Sequence, residues 1–111
     1  MGKFVKGDVV VIPFPFSDLS SSKRRPALVV AIASPEDIIL AQITSRNFGD
    51  NCAVELSDDD FSIGGLSIVS HVRPNKLFTA EAGLVAYKAG SIKKQKMKDV
   101  ANVITKLVSI K

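Results

Sequence analysis

Apolar positions along this chain come in short clusters, not long stripes, until the last fifth. Val9 to Ile12, Ala27 to Ala31 and Ile38 to Ile43 are brief runs rich in β-branched residues, bounded by Gly, Pro and polar clusters. Such runs are too short for buried helices and fit buried strands. They predict strands over 8–14, 26–33 and 38–44, the third apolar on both faces and therefore central in its sheet. Ser34-Pro35-Glu36-Asp37 has turn chemistry. Further on, 52–56 reads as a short strand and Ser57 to Phe61 as one helical turn or a turn with an Asp cap. Gly64-Gly65 reads as a turn, 66–73 as a strand, and 76–79 and 84–87 as brief extended pieces. From Ser91 the period changes. Met97, Val100, Ala101, Ile104, Leu107 and Val108 recur at three- and four-residue spacing, which predicts an amphipathic helix with Ser91 as its cap. Several short strands followed by one helix predict a mainly β protein with a C-terminal helix (α+β). The expected architecture is a small, mostly antiparallel barrel, with residues 1–111 forming a single domain.

Composition narrows the class. The 111 residues are 46% hydrophobic and 23% charged, enough to bury one core without staples. No apolar run approaches membrane-spanning length and no signal-peptide pattern opens the chain, so a cytoplasmic protein without a membrane partner is expected. A lone cysteine, Cys52, and a lone histidine, His71, make neither an internal disulfide nor a metal site. Asp58-Asp59-Asp60 lacks the spacing of a calcium loop. No metal and no cofactor are expected. The net charge of +4 and pI of about 9.4 are compatible with a polyanionic partner.

The position of the charge is more telling than its sum. Between the first two predicted strands lie two X-Pro steps and the run Ser20-Ser21-Ser22, which favour a mobile loop. The loop ends in Lys23-Arg24-Arg25. Pro26 keeps Arg25 off the helical region, so its guanidinium stands on extended backbone at a strand entrance. A cation held there beside a loop is suited to gripping a phosphate. Lys93, Lys94, Lys96 and Lys98 crowd the start of the predicted helix, where they oppose its dipole, and are read as a solvated face. Phe14 and Phe16 lie two apart on one strand face, as a base-stacking platform or a plug for the barrel mouth.

Gly7-Asp8-Val9, the strand that follows, and Arg25-Pro26-Ala27-Leu28-Val29-Val30 resemble the opening of PemK/MazF-type proteins, the endoribonuclease toxins of toxin–antitoxin pairs. Ala41-Gln42-Ile43-Thr44-Ser45 is similar to the family's strand ending in Thr or Ser. Gly65 to Pro74 is similar to its later strand. The resemblance implies an SH3-like barrel that pairs into a homodimer, cleaves single-stranded RNA without metal at specific sequences, and is restrained by an acidic antitoxin. It also implies Arg25 and Thr44 as catalytic residues. RNA contacts are expected from Phe16, Ser17, Lys23, Arg24, Ser45, Arg46, Ser70, His71 and Arg73.

Metal-free RNA cleavage needs a base for the ribose 2′-hydroxyl, a cation for the charged phosphorane and an acid for the leaving 5′-oxygen. Arg25 suits the cation, because its fork of donors matches phosphate oxygens and stays charged. The Thr44 hydroxyl can donate to a nonbridging oxygen. Arginine is too basic for a general base, and the carboxylate that some family members carry in the later strand falls on Ser70 here. Histidine is the residue type that exchanges protons near neutrality. Alternation, however, points His71 and Ser70 to opposite faces, and His71 is read as structural or RNA-contacting. The competing reading is a non-catalytic SH3-like barrel that binds nucleic acid or an acidic peptide. A solitary DNA-binding regulator lacks a helix-turn-helix.

Overall fold

A computed structural model describes residues 4–14, 23–46, 49 and 51–110. Among them are seven strands: β1 (Asp8–Phe14), β2 (Lys23–Ile32), β3 (Asp37–Thr44), β4 (Val54–Leu56), β5 (Phe61–Gly64), β6 (Ser70–Glu81) and β7 (Tyr87–Ile92). Short 3-10 turns occupy Asp58–Asp60 and Ala82–Leu84, and one helix, α1 (Lys94–Val108), ends the chain. The strands form one sheet in the order β4-β6-β3-β2-β1-β7-β5, antiparallel at every pairing. It curls into a half-barrel with the helix packed on it. β3 lies in the interior of the sheet, as its two-sided apolar pattern requires.

That pattern feeds two cores. On one face Val9, Leu28, Ala41, Ile43, Leu56 and Val72 meet Val100 of α1. On the other, Val10, Ile12, Ala27, Val29, Ile38 and Leu40 are covered by Phe4, Phe78 and Val85. Successive residues therefore serve opposite cores, because side chains alternate along a strand.

The Gly7-Asp8 pair opens β1 for structural reasons. Gly7 has φ of 99°, a conformation that side chains resist. Asp8 is buried, yet its carboxylate accepts from the Val5 amide at 3.0 Å and the Ser91 hydroxyl at 2.8 Å, with Lys88 Nζ at 3.8 Å. A buried charge survives only with such partners.

Several boundaries differ from the sequence expectation. β2 begins at Lys23, so the cations stand inside the strand and not ahead of it. Ser91 belongs to β7 and bonds Asp8; the residue preceding α1 is Lys93, without a side-chain cap. The pieces expected at 66–73 and 76–79 are parts of one strand, β6, which starts at Ser70. Its register with β3 jumps from Gln42↔Arg73 to Ala41↔Leu77, bulging at the buried Pro74. Proline lacks the amide that a regular ladder needs, so a bulge accommodates it. β5 and most of β7 had no clear period-2 signal. They pair through Gly64↔Gly90, where the backbones approach so closely that a Cβ on Gly90 would meet the Ile63 carbonyl. The turn at Ser57–Phe61 has the expected form: the Ser57 amide donates to the Asp60 carboxylate at 2.8 Å.

Candidate active site

The hairpin of β1 and β2 fixes the cations. Ile12 pairs with Arg25, Pro13 with Arg24 and Phe14 with Lys23. Their backbones are thus held in a ladder while all three cationic side chains remain exposed. Arg24 and Arg25 point to opposite faces by alternation.

Beside them opens a cleft of about 540 Å³. β2 contributes Arg24, Arg25 and Pro26, and the end of β3 contributes Ile43 and Thr44. Ser45 and Arg46 follow, and Leu66, Ser67, Ile68 and Ser70 form the opposite wall. Arg25 and Thr44 therefore share one cavity. The pairing of β2 with β3 includes Ala27↔Gln42; continued by two residues, that register sets Arg25 opposite Thr44. Thr44 Oγ1 accepts the Arg46 amide at 3.1 Å. This fixes the oxygen and leaves the hydroxyl proton for an outside acceptor. Phosphate chemistry fits such a place, with two guanidinium groups, a third from Arg46, and hydroxyl donors on an apolar floor.

The remaining expected residues divide. Ser70 lines the cleft but is buried, and its hydroxyl donates to the Ile68 carbonyl at 3.1 Å. Lys23 extends the cationic edge of β2. His71 and Arg73 lie on the other face of β6 from Ser70. Phe16 and Ser17 lie outside the described residues, as does the side chain of Phe14.

His71 has company that the sequence did not disclose. It pairs directly with Thr44 on one side and with Glu55 of β4 on the other. Directly paired residues share a face. Arg25, Thr44, His71 and Glu55 therefore form a row across β2, β3, β6 and β4. The His71 ring is half-buried, and its Nδ1 is buried with no hydrogen-bond partner. Glu55 is exposed. Period-2 alternation was readable in both strands; the register that joins them was not. Among the described residues no three His, Cys, Asp or Glu side chains group as metal ligands, and no helix is long and apolar enough to cross a membrane.

The sequence profile of PemK-like, MazF-like toxins of type II toxin–antitoxin systems matches residues 5–108. The chain belongs to that family. Curated protein sequences give no match, so the likeness rests on the family pattern and the fold. Among solved structures, MazF of Deinococcus radiodurans (Form-I) superposes with a TM-score of 0.73 at 20% identity, over 95% of this chain and 96% of that one. An endoribonuclease from Mycobacterial species, in complex with its cognate antitoxin, gives 0.74 at 12% identity, over 100% and 98%. MazE–MazF of Deinococcus radiodurans (Form-III) gives 0.74 at 18% identity, over 96% of each chain. At these identities the likeness is one of fold: the MazF-like half-barrel with its C-terminal helix.

Proposed function

We propose that this MazF-like protein is a metal-independent, sequence-specific endoribonuclease acting on single-stranded RNA in the cytoplasm, and the toxin of a toxin–antitoxin pair. One observation carries the reading: Arg25 and Thr44, the two catalytic positions implied by the family resemblance, line a single cationic cleft. The solved relatives described as endoribonucleases share the half-barrel on which that cleft is built.

In this reading a phosphodiester lies over Thr44. The 2′-oxygen attacks phosphorus and the bond to the 5′-oxygen breaks, giving a 2′,3′-cyclic phosphate and a 5′-hydroxyl. Arg25 meets the extra negative charge of the phosphorane with a planar fork of donors. The Thr44 hydroxyl, its oxygen fixed by the Arg46 amide, donates to a nonbridging oxygen. Arg24, Lys23, Ser45 and Arg46 hold the flanking backbone, and base discrimination in this reading falls to the cleft wall at Ser67 and Ile68. Antitoxin-bound relatives support an antitoxin partner here.

A second reading has its own support, because the hydroxyl of Ser70 is committed to the Ile68 carbonyl and offers no proton acceptor like a carboxylate. On that reading the same cleft binds RNA or an acidic peptide without cutting. Purified protein incubated with long RNA in EDTA distinguishes the two. New 5′-hydroxyl ends at a recurring sequence are expected. Binding without new ends would leave the non-catalytic module, and cleavage that needs added metal would remove metal independence.

A further inference from the structure

The row across the sheet supplies the group that this chemistry lacks. We propose that His71 and Glu55 act as a carboxylate–imidazole pair, with His71 as general base and Glu55 as its positioning residue. This rests on the endoribonuclease reading.

Three observations lead there. His71 does not itself line the cleft, but it is directly paired with Thr44, whose hydroxyl faces the scissile phosphate in that reading, so the imidazole stands one strand away, about 5 Å along the ladder direction. Glu55 is directly paired with the other flank of His71. Cβ atoms of such pairs lie about 4.5–5.5 Å apart, within reach of a carboxylate on an edge strand. Finally, His71 Nδ1 is buried with no partner. A buried ring nitrogen is rarely left so without a reason, and a carboxylate that swings over Nδ1–H meets that demand. Glu55 is the only titratable group directly paired with His71 from a neighbouring strand; Thr44 is uncharged, Arg73 lies on the same face of β6, and Arg25 lies beyond Thr44. The helix packs on the opposite face, against Val72.

The chemistry balances. With Nδ1–H held by Glu55, the Nε2 lone pair takes the 2′-hydroxyl proton as the 2′-oxygen bonds to phosphorus. The P–O5′ bond breaks, and the leaving oxygen takes a proton from water. Phosphorus then sits over Thr44 between two flanking groups, the Arg25 cation on one side and the imidazole base on the other. The carboxylate does not accept the proton; it fixes the tautomer and steadies the imidazolium.

His71 is the single histidine of the chain, which makes the test clean. His71→Ala is expected to slow cleavage of single-stranded RNA by roughly 10²–10⁴-fold, the range for one positioned base. Added imidazole is expected to restore part of the rate, which it would not do for lost packing. Glu55→Gln is expected to slow cleavage roughly tenfold or more, and nitrogen NMR of the one imidazole is expected to show Nδ1-protonated ring in the wild type and a changed tautomer balance in the variant. Glu55 is exposed, so this second variant folds, and thermal melts confirm both. His71→Ala within about threefold of wild type, or loss that imidazole does not relieve, overturns the base assignment. An unchanged tautomer in Glu55→Gln overturns the role of Glu55. In each case the endoribonuclease reading stands. Absence of cleavage by the wild type removes that reading and the pair with it.

Discussion

At the scale of single residues, the cleft depends on side-chain geometry more than on charge. Arg24, Arg25 and Arg46 all carry a guanidinium near the same cavity, but Arg25 alone is brought opposite Thr44 by the strand register. Losing a preorganised transition-state donor costs roughly two to three orders of magnitude in rate. Arg25→Ala is therefore expected to reduce cleavage by about 10²–10³-fold, while RNA affinity falls far less, because Lys23, Arg24 and Arg46 still attract phosphate. Arg25→Lys should stay severely impaired, since an ammonium cannot reproduce the fork. Thr44→Ala should cause a smaller loss. Cleavage and filter-binding assays on the same preparations separate the two effects; equal losses in rate and affinity would assign Arg25 to binding alone. Arg25 and Thr44, the proposed catalytic pair, could be singled out in the chain because each stands in a short motif, and the fold brings both to one cleft. The pairing of Glu55 with His71 could not be read there, because nothing local marks a glutamate on a short edge strand as the cross-strand neighbour of a histidine on another.

At the scale of elements, legibility followed periodicity. β1, β3 and α1 carry apolar runs or a 3.6-residue repeat and were readable to within a few residues. β5 holds Phe61-Ser62-Ile63-Gly64 and exists only because β7 lies against it, so its signal is tertiary. β6 was broken in two by Pro74, whose bulge is invisible without the partner strand. The helix start was misplaced because Ser91 has the chemistry of a cap but answers to Asp8. What precedes α1 is stabilised differently. Lys96 Nζ lies 3.6 Å from Asp60, and the Lys93 amide donates to the Asp60 carbonyl at 2.8 Å, so the aspartate turn and helix support each other. Burial pushes the Asp60 carboxyl up, but the Ser57 amide and the Lys96 charge outweigh it, and the net is below the ordinary value of 3.8. A carboxyl lowered in the folded state contributes stability that is full above that ordinary value and drains as pH falls through the folded one. Asp60→Asn is expected to cost about 1 kcal/mol at neutral pH, the usual worth of a capping carboxylate. The gap between variant and wild type should narrow below pH 3.8. Urea melts across pH check this, and a constant gap would place the effect elsewhere.

At the scale of the whole molecule, the charge and the apolar surface point outward in different places. The cations of β2 gather at one cleft, whereas the exposed Leu77 lies in a groove of about 280 Å³ between the sheet and α1, lined also by Val30, Ile39, Met97 and Ile104. Apolar side chains grouped in this way are normally covered by a partner surface, and we expect a homodimer, with light scattering at tens of micromolar returning twice the 11.9 kDa of one chain. The cleft calls for a different kind of partner. An acidic segment that lays carboxylates on Arg24, Arg25 and Arg46 would occupy the phosphate positions and exclude RNA without altering the fold. Such a segment, disordered when free, gives up ordering entropy on binding and depends on charge for its encounter. An acidic antitoxin of this kind has three expected properties. It should inhibit cleavage competitively with RNA, its affinity should fall as salt rises because exposed pairs are screened, and Arg24→Glu or Arg46→Glu should weaken inhibitor and RNA together. Titration calorimetry at two salt concentrations, paired with cleavage assays, measures all three. Inhibition that is insensitive to salt and to both substitutions would move the antitoxin off the cleft and onto the apolar face of the protein.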